Sequence, residues 1–271
     1  MNEITFIYGG RKVCIRVNND KYIYVNNNND LWFYKRCVFS TLRKAKVSDF
    51  ALANNESLGL LINGETIGKE YDLYYVDHTF SIEDDLKLGS DSLILKYFIS
   101  MYRKNELNDY IQQLRSFLEL ISLEFSDQSV SFQSKDISYK DIVKLICPEV
   151  LKDNLKATTY DMSYEELIYY QLDLIKKIDA KENRIIVFIE IFNLSEALFN
   201  YISEIAKSDT IQIIVLFTKI DCQILTENVV INNVDLENDE SLYERMMIMT
   251  NYYDLKDYKQ SLKAEFLKVP L

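Results

Sequence analysis

Polar and acidic residues follow two long apolar runs in the second half of the chain. Glu190 ends the run 185–189, and Thr218-Lys219-Ile220-Asp221 follows the run 211–217. Apolar runs of this length are typical of strands buried on both faces, and parallel sheets place ligands outside the carboxyl ends of their strands. We therefore expect any chemistry of this chain at 190–193 and 218–221.

The residues at these two strand ends resemble parts of nucleotide-hydrolysing sites. Glu190 stands where an apolar strand ends in a magnesium-binding carboxylate, and Thr218 to Asp221 is similar to the base-reading motif of GTP-binding proteins. Both features need a phosphate loop to act. Gly64 to Lys69 resembles such a loop, but it is one residue short, Glu70 replaces the required Ser or Thr, and it lies between two predicted strands. We predict a turn there, and a nucleotide-type sheet without a catalytic loop.

Histidine and cysteine chemistry is restricted by composition. The chain has one histidine, His78, which excludes a His-rich metal site, and we predict no Ser/His/Asp triad. Its cysteines contain no CxxC pair, which argues against a zinc site and indicates reduced thiols in a cytosolic protein. The four are Cys14, Cys37, Cys147 and Cys222. The adjacent acids Asp84 with Asp85, and Glu165 with Glu166, are expected to be solvated or helix-start charges, although hydrolysis through carboxylates stays open.

Positive charge is concentrated near the start of the chain. The net charge is −11, which ordinarily argues against a nucleic-acid partner, yet residues 1–46 hold nine Lys and Arg against three Asp and Glu. Basic clusters of this kind can hold DNA phosphates without reading sequence. The candidate DNA contacts are Lys35, Arg36, Arg43, Lys44, Lys46, Lys69, Lys176, Lys177, Lys181 and Arg184. The residues from Lys176 onward could equally be favourable charges at a helix carboxyl end.

The stretch 184–221 predicts the centre of the fold. It reads as a strand, a helix that Ser195 can cap, and a second strand. Two buried strands joined by one helix form a right-handed parallel crossover, so the pattern predicts an α/β sheet. A last strand is predicted at 229–234.

Short strands and one helix are predicted before residue 80. The helix runs from Asp30 to about Lys46. Two turns are expected to separate strands: Asn18-Asn19-Asp20 is compatible with a hairpin of strands 12–17 and 21–25, and Asn63-Gly64 lies between strands 58–62 and 71–76.

Helical spacing replaces strand patterns after Gly89. Helices are predicted from Ser90 or Asp91 to about Phe125 with a break near Asn105, from Ser138 with Asp141, from Ser163 with Glu166, and over 241–267. The predicted domains are a discontinuous α/β head of 1–88 and 181–236, a helical leg of 89–180, and a C-terminal helical extension of 237–271.

A series of segments in fixed order carries a family resemblance. They are Leu61-Ile62, Tyr74-Tyr75-Val76-Asp77, Leu93-Ile94-Leu95-Lys96, Leu118-Glu119-Leu120-Ile121, the helix opened by Ser163 and ending in Lys176-Lys177, Ile185 to Glu190, Asn193-Leu194-Ser195 and Val215-Leu216-Phe217. In this order the chain resembles the Csn-two family, the accessory adaptation proteins of type II-A CRISPR systems. The resemblance covers about residues 21–235.

The resemblance implies a fold and a function. The fold is a mixed α/β head similar to P-loop ATPases, lacking a phosphate loop, with an inserted helical leg. The function is spacer acquisition by a homotetrameric ring whose lysine-lined hole holds double-stranded DNA ends, together with the CRISPR integrase and effector nuclease. Short family members bind calcium after the long helix, where this chain keeps only Glu124, Asp127 and Asp136. Calcium prefers six to eight oxygens, which argues against its retention here.

Three functional hypotheses follow. The first is a non-enzymatic, sequence-independent binder of double-stranded DNA ends with no nucleotide cofactor. The second is a nucleotide hydrolase of degenerate P-loop type with a site near Glu190 and Asp221, and the third is a protein-binding scaffold. The chain shows no basic-then-apolar leader and no apolar run near the roughly 20 residues of a membrane span, so we expect a cytoplasmic protein without membrane contact.

Overall fold

The computed structural model describes residues 2–25, 28–42, 59–68, 70–104, 108–126, 129–134, 136–178, 184–220, 229–231 and 234–235. The chain divides into two compact units. Met1–Asp77 with Ala180–Leu271 form the first, here called the sheet unit, and His78–Asp179 form the second, the helical unit. The predicted extension 237–271 lies outside the described residues.

In its described residues the sheet unit is built from strands and two helices. Before the helical unit these are β1 Asn2–Tyr8, β2 Arg11–Val17, β3 Asp20–Tyr24, α1 Asn28–Leu42, β4 Gly59–Ile62, β5 Glu65–Thr66 and β6 Tyr71–Val76. The helical unit holds α2 Ile82–Asp85, α3 Leu93–Lys104, α4 Asn108–Glu124, α5 Tyr139–Ile146, β7 Leu151–Lys152, β8 Leu155–Lys156, a 3₁₀ turn Thr159–Asp161 and α6 Tyr164–Lys177. The sheet unit then resumes with β9 Arg184–Leu194, α7 Glu196–Ile205, β10 Ile211–Ile220, β11 Val229–Ile231 and β12 Val234–Asp235.

The larger sheet of the sheet unit is mainly parallel. Its strand order is β12-β11-β3-β10-β9-β6, in which β12 alone runs antiparallel to its neighbour. The middle strands are apolar because both of their faces are covered, and Val187, Phe188 and Ile214 have no exposed surface. The predicted crossover β9–α7–β10 is confirmed, with Ser195 accepting the Leu198 N–H at the start of α7.

The smaller sheet corrects two predicted strand pairings. It is antiparallel, in the order β2-β1-β4-β5. The predicted hairpin of β2 with β3 is wrong: β2 pairs with β1 through Gly9-Gly10, while β3 lies in the parallel sheet between β10 and β11. Asn63-Gly64 does form a turn, with φ of 53° and 83°, but it joins β4 to β5. Strand β6 lies beside β9 instead.

Helix α1 joins the two sheets into one core. Its buried Tyr34 belongs to an apolar cluster that includes Phe6 of β1 and Phe188 of β9. The ring centroids of Phe6 and Tyr34 are 4.9 Å apart, and those of Phe6 and Phe188 are 6.1 Å apart, both edge to face. This contact fixes α1 against the sheets, and so positions the polar residues that α1 carries.

Helix starts in the helical unit are set by side-chain caps. The predicted capping boxes of Ser138 with Asp141 and of Ser163 with Glu166 are confirmed at α5 and α6. The predicted long helix is two helices, α3 and α4, and residues 105–107 between them lie outside the described residues. Helix α4 leaves large apolar side chains in solvent, among them Leu120 and Leu123.

Of the adjacent acids expected to be solvated or helix-start charges, Asp85 is buried at the start of a helix. Asp84 is exposed and pairs with Lys87, but Asp85 turns inward, and its carboxylate accepts the N–H groups of Leu93 at 2.7 Å and Ile94 at 3.0 Å. Asp85 therefore caps α3 from the preceding helix, which satisfies two of its orphan donors. Burial raises the pKa of Asp85. This cap ties α2 to α3. The boundary between the two units therefore falls after Asp77, earlier than the change from strands to helices that was predicted at Gly89.

Candidate functional site

Two neighbouring parallel strands bring three polar side chains to one end of the larger sheet. In the register of β6 with β9, Val76 lies opposite Ile189. Asp77 directly follows β6, and Glu190 lies just beyond the last pair of β9 with β6, although β9 itself continues to Leu194. The cluster therefore lies at the carboxyl end of β6, and the carboxyl ends of strands are where parallel sheets place ligands. Tyr75 reaches the same place, since its hydroxyl donates a hydrogen bond to Glu190 Oε2.

The fourth member of this cluster comes from helix α1. Lys35 Nζ lies 2.6 Å from Glu190 Oε2 and 3.8 Å from Asp77 Oδ2. The ammonium also lies 5.4 Å from the centroid of the Tyr75 ring, within reach of a cation–π contact. Lys35, Tyr75, Asp77 and Glu190 are named the strand-end cluster below.

Burial decides what the strand-end cluster can do. The Glu190 side chain is almost fully buried and the Lys35 side chain is one-fifth exposed, so each charge needs its partner. Burial, followed by the charge of Glu190, raises the pKa of Tyr75, which keeps its hydroxyl protonated as the donor. The Lys35 ammonium thus balances the charge of Glu190, whose carboxylate also accepts a hydrogen bond from the Tyr75 hydroxyl. The cluster can hold a stable ion pair, whereas a metal or a catalytic base would need that carboxylate free.

The two segments in which chemistry was predicted, 190–193 and 218–221, differ in how much of each the structure describes. Glu190 follows the apolar run 185–189, but it lies within β9 and marks the end of the pairing with β6 and not the end of the strand. Thr218 donates its hydroxyl to the Phe192 carbonyl at 2.9 Å, so it links β10 to β9. Asp221 lies outside the described residues. The sequence patterns did not connect Lys35 or Asp77 with Glu190. Asp77 could have been found, because it is an acid that directly follows a predicted strand, and that strand proves to be parallel to β9.

The segment that resembles a phosphate loop does not lead from a strand into a helix. Gly64 lies in the turn between β4 and β5, which agrees with the predicted turn. One strand-then-helix setting of the kind that a phosphate loop needs is that of β3 and α1. Between them the sequence reads Val25-Asn26-Asn27, with neither the glycines nor the lysine of such a loop.

Half of the predicted DNA contacts lie in the described part of the chain. Arg36 is exposed on α1, Lys176 and Lys177 are exposed in the last turn of α6, and Arg184 is exposed at the start of β9. Lys35 is the exception, because Glu190 and Asp77 offset its charge. The other predicted contacts, Arg43, Lys44, Lys46, Lys69 and Lys181, lie outside the described residues. As DNA contacts all ten stay predictions.

The predicted calcium ligands that the structure describes belong to no metal-binding cluster of described residues. Glu124 is exposed at the end of α4, Asp136 lies 3.7 Å from the Arg115 guanidinium, and Asp127 is outside the described residues. Within the described ranges, no three His, Cys, Asp or Glu side chains gather in a metal-binding arrangement. Glu124 and Asp136 alone cannot supply the six to eight oxygens that calcium prefers, so its binding stays a prediction.

Two further observations concern the described part of the chain. None of its helices is both long enough and apolar enough to cross a membrane. The cysteines Cys14, Cys37 and Cys147 are free thiols, and burial raises the pKa of Cys37 to about 12.

Comparison with known proteins shows the fold. No protein-family model matches the chain, and no curated protein matches it. Among solved structures, the crystal structure of Stu0660 of Streptococcus thermophilus aligns with a TM-score of 0.64 at 13% sequence identity, covering 98% of this chain and 86% of Stu0660. The two proteins therefore share a fold over nearly their whole length. The predicted mixed α/β class, with parallel and antiparallel sheets and helices, is confirmed.

Proposed function

We propose that this chain is a CRISPR adaptation protein of the Csn-two type, which binds double-stranded DNA ends without catalysis during spacer acquisition. The observation that carries the proposal is the fold shared with Stu0660, which supports a fold of the Csn-two type. The element order noted in the sequence supports it independently of the three-dimensional match. The CRISPR integrase and effector nuclease are the partners that this function requires.

The non-catalytic part of the proposal rests on the strand-end cluster. Lys35 bonds to the carboxylate that would otherwise hold magnesium, and the segment between β3 and α1 has no phosphate-loop residues. We expect no turnover of ATP or GTP above background in the presence of magnesium. Turnover that disappears in the Glu190→Gln variant would instead establish the nucleotide hydrolase.

The DNA-binding part rests on charge. Lys176, Lys177 and Arg184 are exposed cations that can neutralise phosphates whatever the base sequence. The test is a binding isotherm for a blunt duplex of two unrelated sequences, repeated over a series of salt concentrations. Affinity should be equal for the two sequences and fall steeply with salt, by about 10³-fold or more between 50 and 200 mM.

Alanine variants test which exposed cations contact the DNA. The double change Lys176→Ala with Lys177→Ala should weaken binding and lower the salt slope by about 1 for each phosphate that the variant no longer neutralises. Lys207→Ala is the control, because Lys207 is exposed but pairs with Glu204 on α7. Affinity that is independent of salt, or unchanged in the double variant while binding to CRISPR proteins persists, would favour the protein-binding scaffold.

The ring assembly rests on exposed apolar surface. Phe117, Leu120 and Leu123 of α4 are 58%, 65% and 71% exposed, and large apolar groups of this kind mark contact surfaces. A solution mass of four chains is expected, and Leu120→Asp should reduce it. Repeating the measurement with a chelator tests calcium, since a mass that falls would show that metal holds the ring. A single-chain mass at working concentration contradicts the assembly.

A further inference from the structure

The exposed face of helix α1 carries an aromatic and cationic surface apart from the strand-end cluster. Trp32 and Arg36 are four residues apart on this helix and so lie on the same side. The Arg36 guanidinium carbon is 5.7 Å from the centroid of the Trp32 ring system and 5.1 Å from that of the Tyr8 ring. Arg36 also donates a hydrogen bond to the Tyr8 hydroxyl at 3.3 Å. Tyr8, Trp32 and Arg36 are named the α1 ledge below.

The exposure of Trp32 indicates a contact surface. Trp32 is the one tryptophan of the chain, and 55% of its surface is in solvent. Tryptophan is usually well buried, because a large ring system left in water forgoes much of the hydrophobic stabilisation that burial would give. The α1 ledge is held in place from below, since the neighbouring Phe33 and Tyr34 are buried in the core. A flat ring is therefore presented to solvent on a rigid helix.

The charges around the α1 ledge favour an anionic partner. Arg11 lies opposite Tyr8 in the pairing of β1 with β2, and its guanidinium is 4.2 Å from the Phe33 ring. Its ion pair with Asp30 at 2.6 Å offsets the charge of that acid, and Arg36 adds a positive charge of its own. The α1 ledge therefore carries a positive charge on a chain of net charge −11, and an anionic partner fits it.

Flat aromatic and guanidinium groups together match the chemistry of a nucleobase. Tryptophan rings and arginine planes stack on unpaired bases, and the remaining N–H groups of the arginine can bond to the adjoining phosphate. Inside a duplex the bases are already stacked on one another, so only an unpaired base can reach such a surface. We propose that the α1 ledge stacks an unpaired nucleobase at a DNA terminus, and so favours ends that carry a single-stranded overhang. This inference rests on the proposed function.

The experiment compares three duplexes of equal paired length, labelled with a dye whose anisotropy reports binding. One is blunt, one has a short dT overhang, and one has an overhang of abasic sites that keeps the phosphates but removes the bases. The dT overhang should bind about tenfold more tightly than the blunt end, and the abasic overhang should lose most of that gain. Because Trp32 is the one tryptophan, its emission should be quenched by the dT overhang more strongly than by the other two.

Variants separate stacking from folding and charge. Trp32→Leu should abolish the overhang preference, Trp32→Phe should retain part of it, and Arg36→Ala should reduce it. Phe192→Leu is the matched control, because Phe192 is a half-exposed aromatic residue elsewhere in the sheet unit, and it should leave the preference unchanged. Far-ultraviolet circular dichroism of each variant checks that the fold is kept.

The outcomes distinguish this inference from the function on which it rests. Equal affinity for all three duplexes, with unchanged Trp32 emission, overturns the inference and leaves DNA-end binding in place. Absence of binding to every duplex and to free dT oligonucleotide overturns both. If Trp32→Leu leaves DNA binding unaltered but abolishes binding to another protein, the α1 ledge is a protein contact and the inference is wrong.

Discussion

The sheet unit and the helical unit use their apolar residues differently. In the sheet unit, the strands β9 and β10 bury Val187, Phe188 and Ile214 completely, and even an ion pair lies largely inside. In the helical unit, α4 leaves Phe117, Leu120 and Leu123 mostly in solvent. Both units contain much apolar surface, but only the first covers most of it with its own chain. The difference makes the exposed face of α4 the surface on which the proposed self-association can be tested.

The largest test of this contrast makes the same substitution in both units. Phe188→Ala should lower the free energy of unfolding by about 4 kcal/mol, because it leaves a cavity among closely packed strands. Phe117→Ala should change the stability of the single chain by about 0.5 kcal/mol or less, since its ring is already 58% exposed. Urea titrations can be followed by the emission of Trp32, which lies in the sheet unit, and by circular dichroism for the helices.

The order of the two effects should reverse when self-association is measured instead of stability. Phe117→Ala should weaken self-association in sedimentation experiments, and Phe188→Ala should not do so while the chain remains folded. Comparable losses of unfolding free energy at both positions would show that α4 is as well packed as the sheet, and the contrast between the units would fail.

A smaller effect is expected from two ion pairs that differ in burial. Lys35→Met should destabilise the sheet unit by about 3 kcal/mol, because it leaves Glu190 buried without its cation. Lys87→Met removes the partner of Asp84, but both side chains of that pair are well exposed, so no measurable change is expected. Thermal and urea unfolding of the two variants provide the comparison.

A double variant identifies the cause. Adding Glu190→Gln to Lys35→Met removes the unpaired charge and should recover part of the missing stability. If the double variant is less stable than Lys35→Met alone, the destabilisation comes from packing of the lysine stem, and the strand-end cluster does not act as an ion pair.

The smallest effect concerns a cap in the helical unit and depends on pH. Hydrogen bonds from Lys152 and from Ser163 lower the pKa of Glu166 to about 2, below the value of about 4.3 for an unfolded glutamate. A depressed pKa stabilises the folded state above pH of about 4.3, and this contribution is lost as the pH falls towards about 2. Glu166→Gln should therefore be less stable than the natural chain at neutral pH and equally stable near pH 2.

The neighbouring acid provides the control for this pH dependence. Glu165 lies next to Glu166 but takes no part in the capping box of α6. Glu165→Gln should leave the difference in helix stability between neutral pH and pH 2 unaltered, as measured by circular dichroism during thermal unfolding. If both variants give the same pH profile as the natural chain, the cap makes no contribution to stability.

Local signals in the sequence were sufficient for much of the fold. The pairs Ser138 with Asp141 and Ser163 with Glu166 lie three residues apart, so a cap can be read without knowledge of the tertiary structure. The apolar strands β9 and β10 were predicted for the same reason. Pairings between distant segments were not: β3 follows a turn typical of a hairpin, yet Tyr22 lies opposite Val215 of β10.

The candidate site was predicted only in part for a similar reason. Glu190 could be found because it directly follows the apolar run 185–189 of β9. Its cation, Lys35, lies 155 positions earlier on α1, and the packing of Phe6 and Tyr34 that brings it there is invisible in a local pattern. The sequence instead predicted Lys35 as a DNA contact, along with the exposed Arg36. Trp32 was not singled out, because a local pattern does not distinguish an exposed aromatic residue of a helix from a buried one.

The position of β3 has a consequence for synthesis of the chain on the ribosome. Its two sheet neighbours, β10 and β11, are translated only after the whole helical unit. While α3 to α6 emerge and can fold from local contacts, the nascent β3 has neither of the strands that will flank it. A chain that stops after Asp179 would contain the complete helical unit and an amino-terminal half-sheet in which β3 has no neighbouring strand of the larger sheet.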